Sequence, residues 1–540
     1  MKNSIALLDC TLRDGGYIND WNFGHNTLIN VFERLASAQV NYIEIGFLDQ
    51  RRPFDMNRSI MPNTQSANII YDQLDKKNAE IVGMIDFGTC DVTHIQPCAE
   101  SILDGIRVIF KKHIKEQALA FCKELKQLGY KVFTQAVSIT SYNDEELLEL
   151  IALVNEVQPF AVSIVDTYGL LNQNKLMHYY EMMSQHLDET IGIGYHSHNN
   201  FQLGYANCIE LINKHATANR LLLLDGTLFG MGKGAGNAPT ELIATYLNEN
   251  CNTKYDISQM LEAIDVNLMD IFKNSPWGYS MNFFIAASND CHPNYVSYLL
   301  DKKTLSVKSI NEILKHLEGE KKLLYDKAYI EELYINYQTY KLHDTEEYSR
   351  LSTFLQDKKV LIIGPGLSVK TELQRIKNYI SQHNPMVMAI NFVPEDFEIS
   401  FLFLTNSKRY VQQATHLKNI GDTIKIIATS NISKSTGNFD FNLDYETLID
   451  RSAVFMDNSF LMLLRALIRA GVSSVALAGF DGYSLDRATN YYSSKMEYDF
   501  ARQQGDQINA NVNQVLSIFK KEIDIQFITD TLYKLKKEEN

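Results

Sequence analysis

Three short stretches of this chain hold residues whose types and spacing could do chemistry. In Gly194-Tyr195-His196-Ser197-His198-Asn199-Asn200 two histidines stand one residue apart. On extended backbone, residues i and i+2 point the same way, so His196 and His198 can present two imidazoles to one ion. Two such nitrogens, one carboxylate and several open positions suit a catalytic divalent cation, Mn2+, Fe2+, Co2+ or Zn2+ among them. In Asp9-Cys10-Thr11-Leu12-Arg13-Asp14-Gly15-Gly16 an arginine and an acid lie side by side where an apolar run ends. Alone, such a pair reads equally well as an ordinary surface ion pair. The third stretch, from Asp225 to Glu241, winds glycines around Lys233. A Walker phosphate loop fails there, because Thr227 stands five residues before Gly232 and Gly234 follows Lys233 where Ser or Thr is required. What remains is either a flexible loop or a glycine-rich rim of a site.

Two further positions join these. Glu44 sits inside Ile43-Glu44-Ile45-Gly46-Phe47. A carboxylate within an apolar strand is costly to bury unless paired, and Arg13 is the obvious cation; the alternative is an exposed strand end. Asp166-Thr167 follows another apolar run and reads as a helix cap or as a substrate contact.

The elements that must position these residues recur regularly. Short, apolar, β-branched runs occur at Ile5–Leu8, Tyr42–Ile45, Ile81–Ile85, Ile106–Ile109, Val132–Ala136, Ala161–Val165, Ile191–Tyr195 and Leu221–Leu224. They read as strands buried on both faces of a parallel sheet. Helical patterns lie between them, at Asn26–Ala38, Ile114–Leu128, Asp144–Val157 and Asn172–His186. Asn143 is placed to cap the third, and Gly129 to end the second. An α/β fold of this kind is a (β/α)8 TIM barrel or an open doubly wound sheet. The barrel is preferred, because the polar residues fall at the carboxyl ends of many different strands, and only a barrel brings those ends to one mouth.

The second half is organised differently. Residues 251–349 read as a helical extension of a barrel spanning 1–250. Residues 350–540 read as a separate Rossmann-like α/β domain. Its strands are expected at Val360–Ile363, Val387–Ile390, Phe401–Leu404, Ile424–Ala428 and Val475–Ala478, with helices near Tyr410–Leu417, Ser459–Ala470 and Met496–Phe519. Gly364-Pro365-Gly366 after the first of these strands is a short anion-loop signal. It lacks the G-x-G-x-x-G spacing, since Val369 stands where the third glycine belongs, so NAD is not expected.

Composition excludes several function classes. The formal net charge is −14 with no basic stripe, so no nucleic-acid partner is expected. No signal core and no apolar run of about eighteen residues occurs, so a cytoplasmic protein without a membrane span is expected. The 7 cysteines form no C-x-x-C pair and read as reduced thiols.

Taken together, Thr11-Leu12-Arg13-Asp14-Gly15, Ile43-Glu44-Ile45-Gly46, Asp166-Thr167-x-Gly169, His196-x-His198-Asn199 and Gly234-Ala235-Gly236-Asn237-Ala238-Pro239 fall in register. The combination resembles the DRE-TIM metallolyases, the 3-hydroxy-3-methylglutaryl-CoA lyase-like family, over about residues 4–250. In motif it is nearest the 4-hydroxy-2-oxovalerate aldolase branch. The resemblance implies Asp14, His196 and His198 as metal ligands, and Asn237 as a ligand or its neighbour. It implies Arg13 as the group facing the ketone or enolate oxygen, with Glu44 orienting it. The metal is expected to be Mn2+ or Mg2+, with Co2+ and Zn2+ as further candidates. The reaction expected is carbon–carbon bond cleavage through a 2-oxo acid enolate, with a 2-oxo acid and an aldehyde as partners and a homodimer by analogy.

The sequence departs from that branch at Tyr17, where the aldolases carry a histidine base. An ordinary phenol, near ~10, is a poor base at neutral pH. Tyr17 reads as an acid, a substrate contact or a pocket wall, with His25 or a metal-bound water as the base. A Claisen-type acyltransferase using an acyl-CoA is the alternative reaction. A non-catalytic scaffold with a nucleotide-sensing C-terminal domain is a third reading. In the C-terminal domain, Gly364 and Gly366, with Ala389-Ile390-Asn391 and Gly479-Phe480-Asp481-Gly482, resemble bacterial sialyltransferase-like domains. That likeness implies a nucleotide or nucleotide-sugar partner; a regulatory or packing domain is the other reading.

Overall fold

The computed structural model describes residues 4–216, 218–302, 304–322, 324–339, 341–420, 423–433, 439–453, 455–485, 490–493 and 504–533. The chain divides into two compact units, Met1–Pro293 and Asn294–Asn540.

In the first unit the strands are β1 (Ser4–Asp9), β2 (Tyr42–Leu48), β3 (Ile60–Met61), β4 (Glu80–Asp86), β5 (Gly105–Phe110), β6 (Lys131–Ala136), β7 (Ala161–Asp166), β8 (Gly192–Ser197) and β9 (Leu221–Gly226). All pairings are parallel, and β1 bonds both β9 and β2, which closes the sheet into a barrel. The two-residue β3 is an addition on the edge of β2. The open-sheet alternative is thereby excluded. Helix Asp144–Val157 starts where the sequence places it, with a capping box between Asn143 and Glu146. The larger core lies between strands and helices, where Leu7, Ile43, Ile106 and Ile164 meet Leu28, Phe32 and Leu150.

The barrel interior follows from the two-residue period of a strand. One cluster of apolar groups, Leu8, Tyr42, Val82, Phe133, Ala161 and Leu223, fills its lower part. Two residues further along the same strands stand Cys10, Glu44, Met84, Gln135, Ser163 and Asp225. The same register that packs the floor therefore lifts a largely polar layer toward the carboxyl mouth.

The second unit holds a sheet of β10 (Val360–Ile363), β11 (Met386–Ile390), β12 (Phe401–Leu404), β13 (Lys425–Thr429), β14 (Phe441–Leu443), β15 (Ser474–Ala478) and β16 (Asp524–Phe527). All pairings are parallel, in the order β14-β13-β12-β11-β10-β15-β16. Alternate residues of β10 enter two cores, Val360 and Ile362 on one face, Leu361 and Ile363 on the other. Sequence reasoning did not find β14 or β16. The helix expected at Met496–Phe519 is described from Gly505 to Phe519; residues 496–503 lie outside the described residues. Among the described residues no helix is long and apolar enough to cross a membrane.

Candidate active site

The residues leaving β1 turn at once into a short helix, Thr11–Asp14. Asp9 fixes the turn: one of its oxygens accepts from the Thr11 amide at 2.9 Å and the other from the Thr240 hydroxyl at 2.6 Å. Arg13 and Asp14 are consequently buried at the barrel mouth, 3% and 1% exposed.

Arg13 is held on two sides. Its Nε donates to Glu44 Oε2 at 2.7 Å and its Nη1 to Asp14 Oδ2, which leaves Nη2 without a protein acceptor among the described residues. Glu44 reaches it from β2, whose pairing with β4 shifts register between Glu44 and Phe47. Gly46 lies within that shift at φ +144°, and a side chain there would overlap the Ser59 carbonyl oxygen.

Behind this pair lies a closed ring of alternating charge. Glu44 Oε2 is 3.2 Å from Arg107 Nη1, and Arg107 Nη2 bonds Asp225 and, at 3.1 Å, Gln135 Oε1. Asp225 Oδ2 accepts from His196 Nδ1 at 2.9 Å, and His196 Nε2 lies 3.3 Å from Asp14 Oδ2. Arg107 is fully buried. Removing one member would strand an uncompensated buried charge, at about 3–5 kcal/mol.

Asp14, His196 and His198 bring one ligand atom each to within 4.8 Å of one another. The far nitrogen of each histidine is occupied: Nδ1 of His196 by Asp225, and Nδ1 of His198 by the Lys233 carbonyl at 3.1 Å. That turns both Nε2 atoms toward the Asp14 side, with His196 Nε2 against Asp14 Oδ2, the usual orientation of metal-binding histidine. Burial pulls the His198 imidazole down to about 3, so it stays neutral. Burial alone would raise Asp14, but Arg13 and then the histidines hold its carboxyl well below the usual range. Asn237 supplies the test of fit. It is 1% exposed, bridges to His198, and neither amide atom has a hydrogen-bond partner among the described residues. An unsatisfied buried amide oxygen beside two imidazoles and a carboxylate is what a divalent cation would complete.

The cleft over this group has a volume of about 160 Å³. Arg13, Asp14, Tyr17, Thr167, His196 and His198 line it, and so do Lys111 and Lys233. Thr167 reaches the cleft, its hydroxyl accepting from the Ser138 amide at 2.8 Å. Asp166 does not: both carboxylate oxygens are spent on the Leu170 and Leu171 amides, at 2.7 and 3.0 Å. Of the two expected substrate contacts, only Thr167 is placed to make one. Tyr17 stacks edge-on against Trp21 and Phe47, with the Lys233 amine 5.3 Å from its ring centroid. Part of the ring faces the open cleft. Even so, the surrounding protein and the Asp14 carboxylate push its phenol up to about 12. That shift favours the protonated phenol, which fits an acid or a substrate contact better than a base. His25 opens helix His25–Ser37 and does not line the cleft.

Arg107 and Asp225 were missed as site residues in the sequence. The signal was present: a cation inside the apolar strand Gly105–Phe110 carries the same pairing demand as Glu44.

The loop after β9 is tied at its far end by Glu241, whose Oε2 accepts from the Phe229 amide at 3.0 Å. Burial pushes this acid from 4.5 up to about 7. The folded chain thus keeps a proton that the unfolded chain releases, and ionising Glu241 costs stability as pH rises from about 4.5 through about 7. Glu241→Gln keeps the acceptor. It is expected to stabilise the first unit by about 1–2 kcal/mol near pH 8 and by nothing near pH 4. Urea unfolding at the two pH values checks this, and an equal gain at both would remove titration from the account.

At the mouth of a parallel barrel, a buried arginine thus stands beside a carboxylate and two histidines that could hold a metal ion. The HMGL-like family model matches residues 4–266. The barrel belongs to that family, among the DRE-TIM metallolyases. Over 268 residues it is 22% identical to 4-hydroxy-2-oxovalerate aldolase 6 of Rhodococcus jostii, covering 49% of this chain and 74% of that one. Oxaloacetate decarboxylase of Mycobacterium tuberculosis is 24% identical over 296 residues, 51% of this chain and 81% of the relative. Among solved structures, the N-terminal domain of a candidate aldolase from Bacteroides vulgatus is 22% identical with a TM-score of 0.47, covering 57% of this chain and 99% of that domain. The family and its lyase and aldolase relatives make this chain an enzyme of the metal-dependent lyase type.

Proposed function

We propose that the barrel is a divalent-metal-dependent aldolase that cleaves or forms a carbon–carbon bond next to the enolate of a small 2-oxo acid, with an aldehyde as the second partner. The observation that carries this reading is the unused Nη2 of Arg13, beside the group formed by Asp14, His196 and His198. Asp14, His196, His198 and Asn237 would hold the ion, Mn2+ or Mg2+. When bound, it supplies Lewis-acid stabilisation of the negative charge that develops on the substrate's oxo oxygen.

The protein's own groups do the rest. Arg13 donates from Nη2 to that same oxygen, and Glu44 keeps the guanidinium from turning away. Lys111 and Lys233 give the cleft positive charge for the acid's carboxylate. Tyr17, protonated, is placed to donate a proton or a hydrogen bond to the departing or arriving oxygen. The cleft volume suits a small acid. The two relatives described above support the substrate class, since each carries a 2-oxo acid in its name.

Proton exchange tests the reading directly. Wild type with Mn2+ or Mg2+ and pyruvate in deuterated water is expected to lose the methyl proton signal by NMR. His196→Ala should not. Exchange in both proteins, or exchange that persists after chelation, would sink the proposal.

A further inference from the structure

The order of the second sheet reverses between β10 and β15. In an open parallel sheet, segments leaving two such strands part to opposite sides, and ligands bind in the crevice outside their carboxyl ends. Here that crevice is a cleft of about 890 Å³, within the ~300–1,000 Å³ typical of small-molecule sites. It lies wholly in the second unit and shares no residue with the barrel site.

The two glycines singled out in the sequence have a packing role. A Cβ on Gly366 would stand 2.5 Å from both Asp481 Oδ1 and the Gly479 carbonyl oxygen, so glycine is what lets the loops after β10 and β15 meet. Asp481 in turn accepts from the Ser368 amide at 2.8 Å. Gly364 does not line the cleft. The groups that could recognise a ligand lie elsewhere on its wall.

Asn391 and Ser459 line the cleft, and both hydrogen-bond Thr405. Asn391 Nδ2 donates to Ser459 Oγ at 2.9 Å, and the Thr405 and Ser459 hydroxyls are 2.7 Å apart. Ser459 begins helix Ser459–Arg469, capped by Asn458, and Asn406 caps helix Ser407–Ile420 through the Arg409 amide at 3.1 Å. Both helices direct their amino ends at the cleft, which favours negative charge there. Lys302 adds a cation of unusual setting. Its amine is 4.8 Å from the ring centroids of both Tyr298 and Tyr334, and no carboxylate lies within 4 Å of it among the described residues. Asp457, the acid whose field it feels, is already bonded by the hydroxyls of Tyr334 and Tyr445, at 3.2 and 3.1 Å. The other wall is aromatic: Phe460 and Phe480 lie 4.1 Å apart between centroids, with Tyr483 and Tyr491 beyond them.

We propose that this cleft binds a nucleoside phosphate, with its phosphates toward Lys302 and Ser459 and its base or sugar against the aromatic wall. A half-buried cation and two helix amino ends ask for an anion, and the aromatic side asks for a flat ring. The site is independent of the chemistry proposed for the barrel.

Calorimetric titration of the full chain, in chelator so that no barrel metal contributes, tests this. UDP, CDP, ADP and GDP are added in turn, then inorganic pyrophosphate. At least one nucleoside diphosphate is expected to bind with a Kd below about 1 mM, and at least ten times tighter than pyrophosphate. Lys302→Met should weaken that binding about tenfold or more. Lys327→Met, at an exposed position lining the cleft, should weaken it about threefold. Binding by none of the four, binding of pyrophosphate as tight as the best of them, or binding untouched by both substitutions would each overturn the proposal.

Discussion

In His196→Ala and in Asp14→Ala, bound divalent metal and turnover should disappear together. The two side chains face each other at 3.3 Å, and each is already committed to a neighbour that fixes its direction. No other described carboxylate or imidazole joins them except His198 and, through the far nitrogen of His196, Asp225. Losing one ligand leaves too few donors to hold the ion, and a loss of exchange activity on the order of 10³-fold or more is expected. Metal content by elemental analysis and pyruvate exchange by NMR read the two quantities separately. A variant that keeps a full equivalent of metal while losing activity would show that the ion sits elsewhere.

Arg13→Lys should separate what the ligand changes cannot. The ion should remain, because Asp14, His196, His198 and Asn237 are untouched. Turnover should fall by about 10²- to 10³-fold. A lysine ammonium is a compact charge that can reach Glu44 or the substrate. It lacks the planar fork that addresses Glu44, Asp14 and the cleft at once. Near-normal turnover in a metal-replete Arg13→Lys would refute the role given to Nη2. Glu44→Gln is the companion: it keeps one acceptor for Nε, so a smaller loss than in Arg13→Lys is consistent with a positioning role.

The parts of this arrangement that were legible in the sequence share one property: they depend on spacing along a single strand. The barrel strands were visible because each is short and apolar on both faces, and His196 with His198 because a period of two is a local fact. The Asn143 cap was equally local, at the start of one helix. The parts that were not legible depend on what another strand brings. Arg107 looks like an interruption of an apolar run until Glu44 and Asp225 are seen on either side of it. Asp166 and Thr167 are neighbours in sequence, yet only the register of β7 against the following loop decides that the threonine faces the cleft. In the second unit, β14 is three residues long, and β16 alternates polar and apolar residues as an edge strand can; neither offers the continuous apolar run of the interior strands. Gly364-Pro365-Gly366 was read as an anion loop from its glycines. The structure gives Gly366 to the contact with the loop after β15, a long-range demand that no local pattern carries.

Lys233 touches two of the four proposed ligands through its backbone alone: its amide donates to Asp14 Oδ1 at 3.0 Å and its carbonyl accepts from His198. An ion held by these ligands would therefore be thermodynamically linked to the glycine-rich rim. Whatever orders the rim must tighten the ion, and the ion must order the rim by the same factor, since a coupling free energy belongs to both partners equally. A substrate that draws the Lys233 side chain inward would then retain its own metal during the reaction, and product departure would loosen both.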